Sequence, residues 1–433
     1  MKIERSQSVL SIVHDKRNAF SFHLVYQNRK EELQMSIKKL KRNIKLDYIN
    51  TFIACLNMQS SVWILYLAHC GMNLMQIGLL EGIYHATSII CEIPSGAMAD
   101  LIGRKKNMIL SRICIAISCV IMLFSKSFYL FALSFIIQAL GNNFNSGSEE
   151  ALVYDSMKCL SEEKSYLRVN GRLNMITEVS QAIATVAGGV LAEYSYFWCY
   201  SACVLIAVLA LIPVIFMIEP PISNRGSNKE TYSILRTVNH HFKICIRILI
   251  ENKRILQIVT YYSVIFATYT LLFFYSQQYY SDMGFNKIQI SIILLLIGVV
   301  SCLGAFMSEK LYFKFGDHIA VIAAIVIAIT LVCYGFTKQI ISILTFIVAS
   351  FFNSVLYPVE SNALNSLIPS EQRATLISVN SMFFSIMMII MFPIVGAFAD
   401  QWGLGCIFNI LGILLLILIG IWNFIKKNDV ITE

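Results

Sequence analysis

Apolar residues run along this chain in long unbroken tracts separated by short polar segments. A bilayer core needs about 20 consecutive apolar residues per helix. With that window the pattern predicts twelve helices, at roughly 48–69, 75–98, 107–125, 128–156, 169–192, 195–218, 255–280, 287–308, 318–337, 340–365, 373–399 and 403–425. The tracts do not alternate apolar and polar residues, which excludes a β-barrel. The expected fold class is an all-α, polytopic membrane protein.

Composition agrees with a membrane solvent. Of the 433 residues, 57% are hydrophobic and 14% charged, and the mean hydropathy is +0.67, against about 25% charged residues in soluble domains. The net charge of +8 does not point to nucleic acid, because the cations are sorted by side. Only Lys126, Lys287 and Lys338 fall on one face of the predicted topology, and the other 31 of 34 Lys and Arg lie on or near the opposite face. The positive-inside rule then makes both termini cytoplasmic, in a multi-pass protein of the cytoplasmic membrane. The twelve Cys form no CxxC pair and sit mostly inside apolar runs, so they read as small buried hydrophobes, with neither disulfides nor a metal site. No cofactor is expected, and a monomer is.

Residues 1–47 carry 11 Lys and Arg and 5 acids and lack the apolar core of a signal peptide. They read as a cytoplasmic segment, in which Met35 opens a short basic lead into the first span and residues 1–34 are expected to be dispensable. Two echoes divide the remainder. "GMNLMQI" (71–77) returns as "GFNKIQI" (284–290), and Gly189, Ala192 and Glu193 return as Gly396, Ala399 and Asp400. They imply two six-helix bundles, 48–218 and 255–425, with a tail at 426–433. The segment between them, 219–254, carries seven Lys and Arg against three acids. Its middle reads as an amphipathic helix lying on the inner leaflet.

One polar interruption has a specific form. In "EIPSGAMADLIGRKK" (92–106) the spacing is Gly96-x-x-x-Asp100-x-x-Gly103-Arg104-Lys105, placed between the second and third spans. This resembles the loop 2–3 signature of the major facilitator superfamily, and the likeness covers about residues 45–425. What it implies is two bundles that rock about a central site, with helices 1, 4, 7 and 10 lining the cavity and 3, 6, 9 and 12 facing lipid. It also implies a gate latch in which Asp100 meets the start of helix 11, near Ser370, when the protein faces outward, with Arg104 and Arg112 as its cationic partners. In the second half only the turn glycine, Gly316, is repeated. Proton-driven drug exporters of this family carry two further signatures. Here Ile137 stands where one has Arg, and Ala184-Thr185 where the other has Gly-Pro.

Acids inside the membrane are functional candidates by default. Glu81 and Glu92, about 16 Å apart on one face of helix 2, are candidate proton carriers together with Glu178 in helix 5. Glu149, Glu150 and Asp155, with Arg112, Arg168 and Arg172, read as an ion network at the cytoplasmic end; Glu360 is the one acid of this kind in the second half. Nine of the twenty residues of helix 7 (261–280) are aromatic. Tyr262, Tyr269 and Phe273 are therefore candidates for the substrate cavity, with Asn57, Gln59, Asn142 and Asn145 as its polar groups. No nucleotide loop, nucleophile elbow or metal cluster appears, so the chain does not read as an enzyme. The leading expectation is proton-coupled efflux of a hydrophobic or amphipathic compound. The alternatives are proton-linked uptake of a small metabolite and a non-transporting sensor on the same frame.

Overall fold

The computed structural model describes residues 37–221, 252–336, 339–367 and 373–432, with side chains described except at 373–375 and 424–432. Residues 1–34, Ser370, Lys338 and the middle of the 219–254 linker lie outside the described residues. Among these the chain forms α1 (37–54), α2 (Trp63–His69), α3 (Leu74–Ile102), α4 (Arg104–Phe124), α5 (Phe128–Asn145), α6 (Ser148–Cys159), α7 (Tyr166–Tyr194), α8 (Tyr196–Phe216), α9 (Lys253–Asp282), α10 (Lys287–Phe315), α11 (His318–Phe336), α12 (Ile340–Asn365), α13 (Arg373–Trp402) and α14 (Leu404–Thr432).

Ten helices are continuous and long enough to cross a bilayer. The two remaining predicted spans are broken. The first is α1 and α2, bent by 46°; the fourth is α5 and α6, interrupted at Ser146 and at Gly147, which adopts φ +72°. The first span also starts eleven residues before the predicted boundary. Its basic lead is already helical, with Lys38, Lys39, Lys41 and Lys45 outward and Leu40, Asn43 and Asp47 inward.

Each half repeats one packing scheme. In the first half α4 lies along α5 and α8; in the second, α11 lies along α12 and α14. The helices of spans 3, 6, 9 and 12 present rows of exposed Ile, Leu, Val and Phe, as at Ile113, Ile117, Val120 and Phe124, which suits lipid contact. The halves meet through two equivalent crossings, α3 on α13 and α7 on α10. The echoed "GxNxxQI" segments begin α3 and α10, and each is a capping box: Asn73 with Gln76, and Asn286 with Gln289. In each, the Asn side chain takes the third N–H of its helix while the Gln reaches back to the Asn backbone. The repeat is thus a pair of helix starts. The other shared feature is the turn glycine, Gly103 at φ +96° and Gly316 at φ +56°, conformations that Cβ-bearing residues rarely adopt.

The core is not evenly distributed. One large apolar cluster takes residues from both halves and joins them at one end, through α2, the start of α3, the end of α9 and the end of α13. At the other end, which carries both described chain ends, the smaller clusters are each confined to one half, for example Ile255 with Leu376 and Met108 with Val214. The two bundles are closed on each other at the first end and separate at the second.

The break in the first span is held from three sides. Met58 O accepts from the Cys199 thiol, and Ser60 O accepts from Gln277 across the halves at 3.1 Å. Ser61 donates to Thr185 O at 2.9 Å. Gly188 makes the approach possible, since a Cβ there would sit 1.8 Å from Met58 O. Backbone cannot yield to such overlap, so Gly188→Val is expected to cost about 3 kcal/mol and to appear as a lowered unfolding temperature of the purified protein.

Candidate functional site

A cavity of about 490 Å³ lies between the halves, just below the closed end. The broken segment supplies Asn57, Gln59, Ser60 and Ser61, and α2 supplies Trp63. From α3 come Glu81 and Tyr84, from α5 Phe135, Gln138 and Asn142, and from α7 Gln181 and Thr185. The second half contributes Phe273, Phe274 and Leu294. Trp63 stands edge-on to Phe274 at 5.3 Å between ring centroids. The lining is thus an aromatic wall, a set of side-chain amides and one carboxylate; it includes no Lys or Arg. Glu81 is 13% exposed and lies 3.6 Å from His85 one turn on, whose other ring nitrogen meets Ser385 Oγ at 3.2 Å.

The sequence candidates are divided by this geometry. Asn57, Gln59, Asn142, Phe273 and Glu81 share the cavity wall. Asn145 does not reach it, being bonded to Glu149. Tyr262 and Tyr269 are buried within the second half, packed on Phe266 and Phe346; they serve its core. Glu92 and Glu178 are exposed on α3 and α7 and are not among the groups lining this cavity. No residue of the tenth span (α12) is among the lining groups, whereas the second (α3), fifth (α7) and eighth (α10) spans contribute.

At the separated end, the loop 2–3 motif is wired differently from the expectation. Arg104 pairs with Asp155 and donates to Ala151 O at 2.7 Å, while Arg112 lies 3.6 Å from Glu149 and 3.2 Å from Asn145. Neither faces Asp100, which is exposed at the end of α3. Gly96 has nothing within 4 Å of where a Cβ would stand. Among the described residues, none of the second half is bonded to the motif. Lys105 donates to Ile215 O at 2.8 Å. Glu219 accepts the backbone N–H groups of Arg104 and Lys105 at 2.9 and 2.8 Å, the favourable place for an anion at a helix start. Of the expected ion network, Glu149 and Asp155 are paired; Glu150, Arg168 and Arg172 are exposed and join neither pair.

At the closed end the same device crosses between the halves, twice. Asp400, at the end of α13, accepts the N–H groups of Leu74 and Met75 at 2.9 and 3.0 Å, capping α3. Glu193, at the end of α7, accepts the N–H of Lys287 at 2.9 Å, capping α10. A glycine precedes each acid by four residues and lets the backbones close. A Cβ on Gly396 would fall 2.3 Å from Leu74 O, and one on Gly189 would fall 2.9 Å from Lys287 O. Tyr275 adds a bond to Leu74 O at 3.1 Å.

Two repeated bundles, a cavity between them and the loop 2–3 motif lead to one family, and the sequence profile of the Major Facilitator Superfamily matches residues 48–348 and 318–430. The chain belongs to the major facilitator superfamily. It is a multi-pass membrane transporter rather than an enzyme. It is 25% identical over 381 residues to an MFS-type transporter, YxaM, of Bacillus subtilis (strain 168), covering 86% of this chain and 93% of that one. A transporter of Buchnera aphidicola subsp. Schizaphis graminum is 28% identical over 158 residues, 36% of this chain and 38% of that one. Among solved structures, the nucleoside transporter NupG in its D323A form superposes with a TM-score of 0.73 at 12% identity, over 88% of this chain and 98% of that one. A bacterial homologue of the lysosomal transporter Spinster, facing inward, superposes with a TM-score of 0.67 at 15% identity, over 90% and 96%. These likenesses establish the MFS fold.

Several site residues carried no separate signal in the sequence. Gln138, Gln181, Trp63 and Phe274 become cavity residues only through the bend of the first span. Asp400 and Glu193 were visible as an echo, but their targets were not, because one echo caps the other. Each charge at a helix start contributes about 0.3–2 kcal/mol. Removing both, in Asp400→Asn with Glu193→Gln, is expected to loosen the closed end. Spin-label distances between the closed-end termini of α4 and α11 should broaden towards longer values.

Proposed function

We propose that the protein exports a hydrophobic or amphipathic compound across the cytoplasmic membrane in exchange for protons, with Glu81 as the group that both meet. With both termini cytoplasmic, as the cation distribution favours, the separated end faces the cytoplasm and the cavity is loaded from inside. The observation that carries the reading is the placement of Glu81: one carboxylate in a wall of aromatic and amide side chains that holds no Lys or Arg. An aromatic wall favours a bulky apolar or cationic solute. A carboxylate exposed to such a cavity can hold either a proton or a cationic substrate, and competition between the two is the simplest basis for exchange. Asp100 would serve as the cytoplasmic latch, meeting the start of α13 when that end closes. Arg104, Lys105 and the ion pairs behind them would hold the N-terminal side of the gate in shape.

A second reading, proton-linked uptake of a polar metabolite, is favoured by the amides Asn57, Gln59, Gln138, Asn142 and Gln181 in the same wall. It would also suit a neighbour such as the nucleoside transporter NupG. The two are separated in proteoliposomes by imposing a pH gradient and following a panel of solutes: export requires solute to move against the proton flow, uptake with it. Under the leading reading Glu81→Gln lowers pH-driven flux by at least about tenfold, while Glu92→Gln, on the exposed part of the helix, leaves it within a factor of about two. Equal flux in Glu81→Gln and wild type would exclude Glu81 as the shared group.

A further inference from the structure

Two buried acids lie outside the cavity and outside the gate pairs: Glu360 on α12, at 4% exposure, and Asp47 on α1. Along α1, Asn43, Asp47, Asn50 and Thr51 form a single inward stripe, spaced as neighbours on one helix face. Asn43 donates to Ser156 Oγ at 3.0 Å and to Ile218 O at 2.8 Å. Asn50 and Thr51 both donate to Glu149 Oε1, at 2.7 and 3.2 Å. Glu149 Oε2 receives Asn145, with Arg112 Nη2 at 3.6 Å. Glu149 is therefore served by donors on both oxygens and faces a guanidinium, which is the environment of an ionised carboxylate.

Asp47 sits in the middle of this stripe, 1% exposed. Neither of its carboxyl oxygens receives a donor in bonding geometry. The groups facing it are Glu149 from α6, Arg112 from α4, Tyr166 from α7 and, on its own helix, Asn50. Two acids thus share one cation, and Asp47 is the one closed off from solvent. A second buried carboxylate without donors, beside the first, would cost several kcal/mol. The cluster is neutral if one proton is bound.

We propose that Asp47 is a proton-binding site of this transporter, distinct from Glu81, and that its proton governs the partner of Arg112. With the proton on Asp47, Arg112 belongs to Glu149. When the Asp47 O–H bond breaks and the proton passes to water, the new carboxylate competes for the same guanidinium. The Nε–H of Arg112 is buried with no acceptor in bonding geometry and is free to take it. Solvent space reaches the shared guanidinium. Arg112 lines a chamber of about 120 Å³ beneath the broken segment, and Asn57, Gln59, Gln138 and Asn142 line both that chamber and the central cavity. The site stands whether the solute is exported or imported, since it rests on the charge balance of the N-terminal bundle alone.

The test is infrared spectroscopy of the full-length protein in lipid nanodiscs at neutral pH. A carbonyl band of a protonated carboxylic acid is expected, and it should disappear on alkaline titration. Asp47→Asn should abolish that component, while Glu81→Gln and Glu360→Gln, which leaves the other buried acid of the molecule without a carboxyl, keep it. Carbon-isotope labelling of the aspartate carboxyls should shift the band in wild-type protein, a measurement that needs no variant to fold. A band that shifts only with labelled glutamate, or that is unchanged in folded Asp47→Asn, overturns the assignment. A band that appears only when sodium is replaced by a large organic cation at fixed pH would make the ligand a metal ion and would also overturn it.

Discussion

A backbone N–H or C=O without a partner is several kcal/mol too costly to leave in hydrocarbon, and this molecule is organised around the places where its helices start or break. Three of the starts are occupied by carboxylates from elsewhere in the chain: Glu219 at α4, Asp400 at α3 and Glu193 at α10. In the break between α1 and α2, Cys199 and Gln277 satisfy the carbonyls of Met58 and Ser60, and Ser61 in turn donates to Thr185 O on α7. Each of these solutions also fixes a relation between distant segments. Meeting a local backbone requirement therefore shapes the cavity, joins the two bundles and sets the end at which they close.

The same logic separates what the sequence disclosed from what it concealed. Helix number, the two-bundle division and the family were legible because they depend on composition summed over twenty residues, on cation asymmetry and on a spaced motif. The loop 2–3 motif was legible as a turn and as a cluster of cations. Its pairing was not, because Arg104 and Arg112 choose between acids that lie about fifty and forty residues away in sequence. The boundary at residue 48 was drawn where hydropathy begins. It missed Asn43 and Asp47, the first two members of the polar stripe that Asn50 continues, whose burial depends on α6 and α7 packing over it.

The cavity illustrates the limit most clearly. Aromatic residues crowd α9, and hydropathy alone gives no means of sorting them. Tyr262 and Tyr269 turn into the second bundle while Phe273 and Phe274 face the first. What sorts them is the crossing of α9 over the broken span, where Gln277 reaches Ser60. Site chemistry in a protein of this kind thus follows from where helices bend, and the bends here depend on close contacts such as Gly188 on Met58.

The two capped crossings at the closed end have opposite polarity. In one, the acid comes from the second bundle and the helix start from the first; in the other, the roles are exchanged. A rigid rotation of one bundle away from the other stretches both at once, and neither can be released as a preliminary step. Opening of that end is accordingly a concerted event with a sharp threshold. Partly open states would have little lifetime, which protects a membrane from a continuous leak through the centre of the molecule.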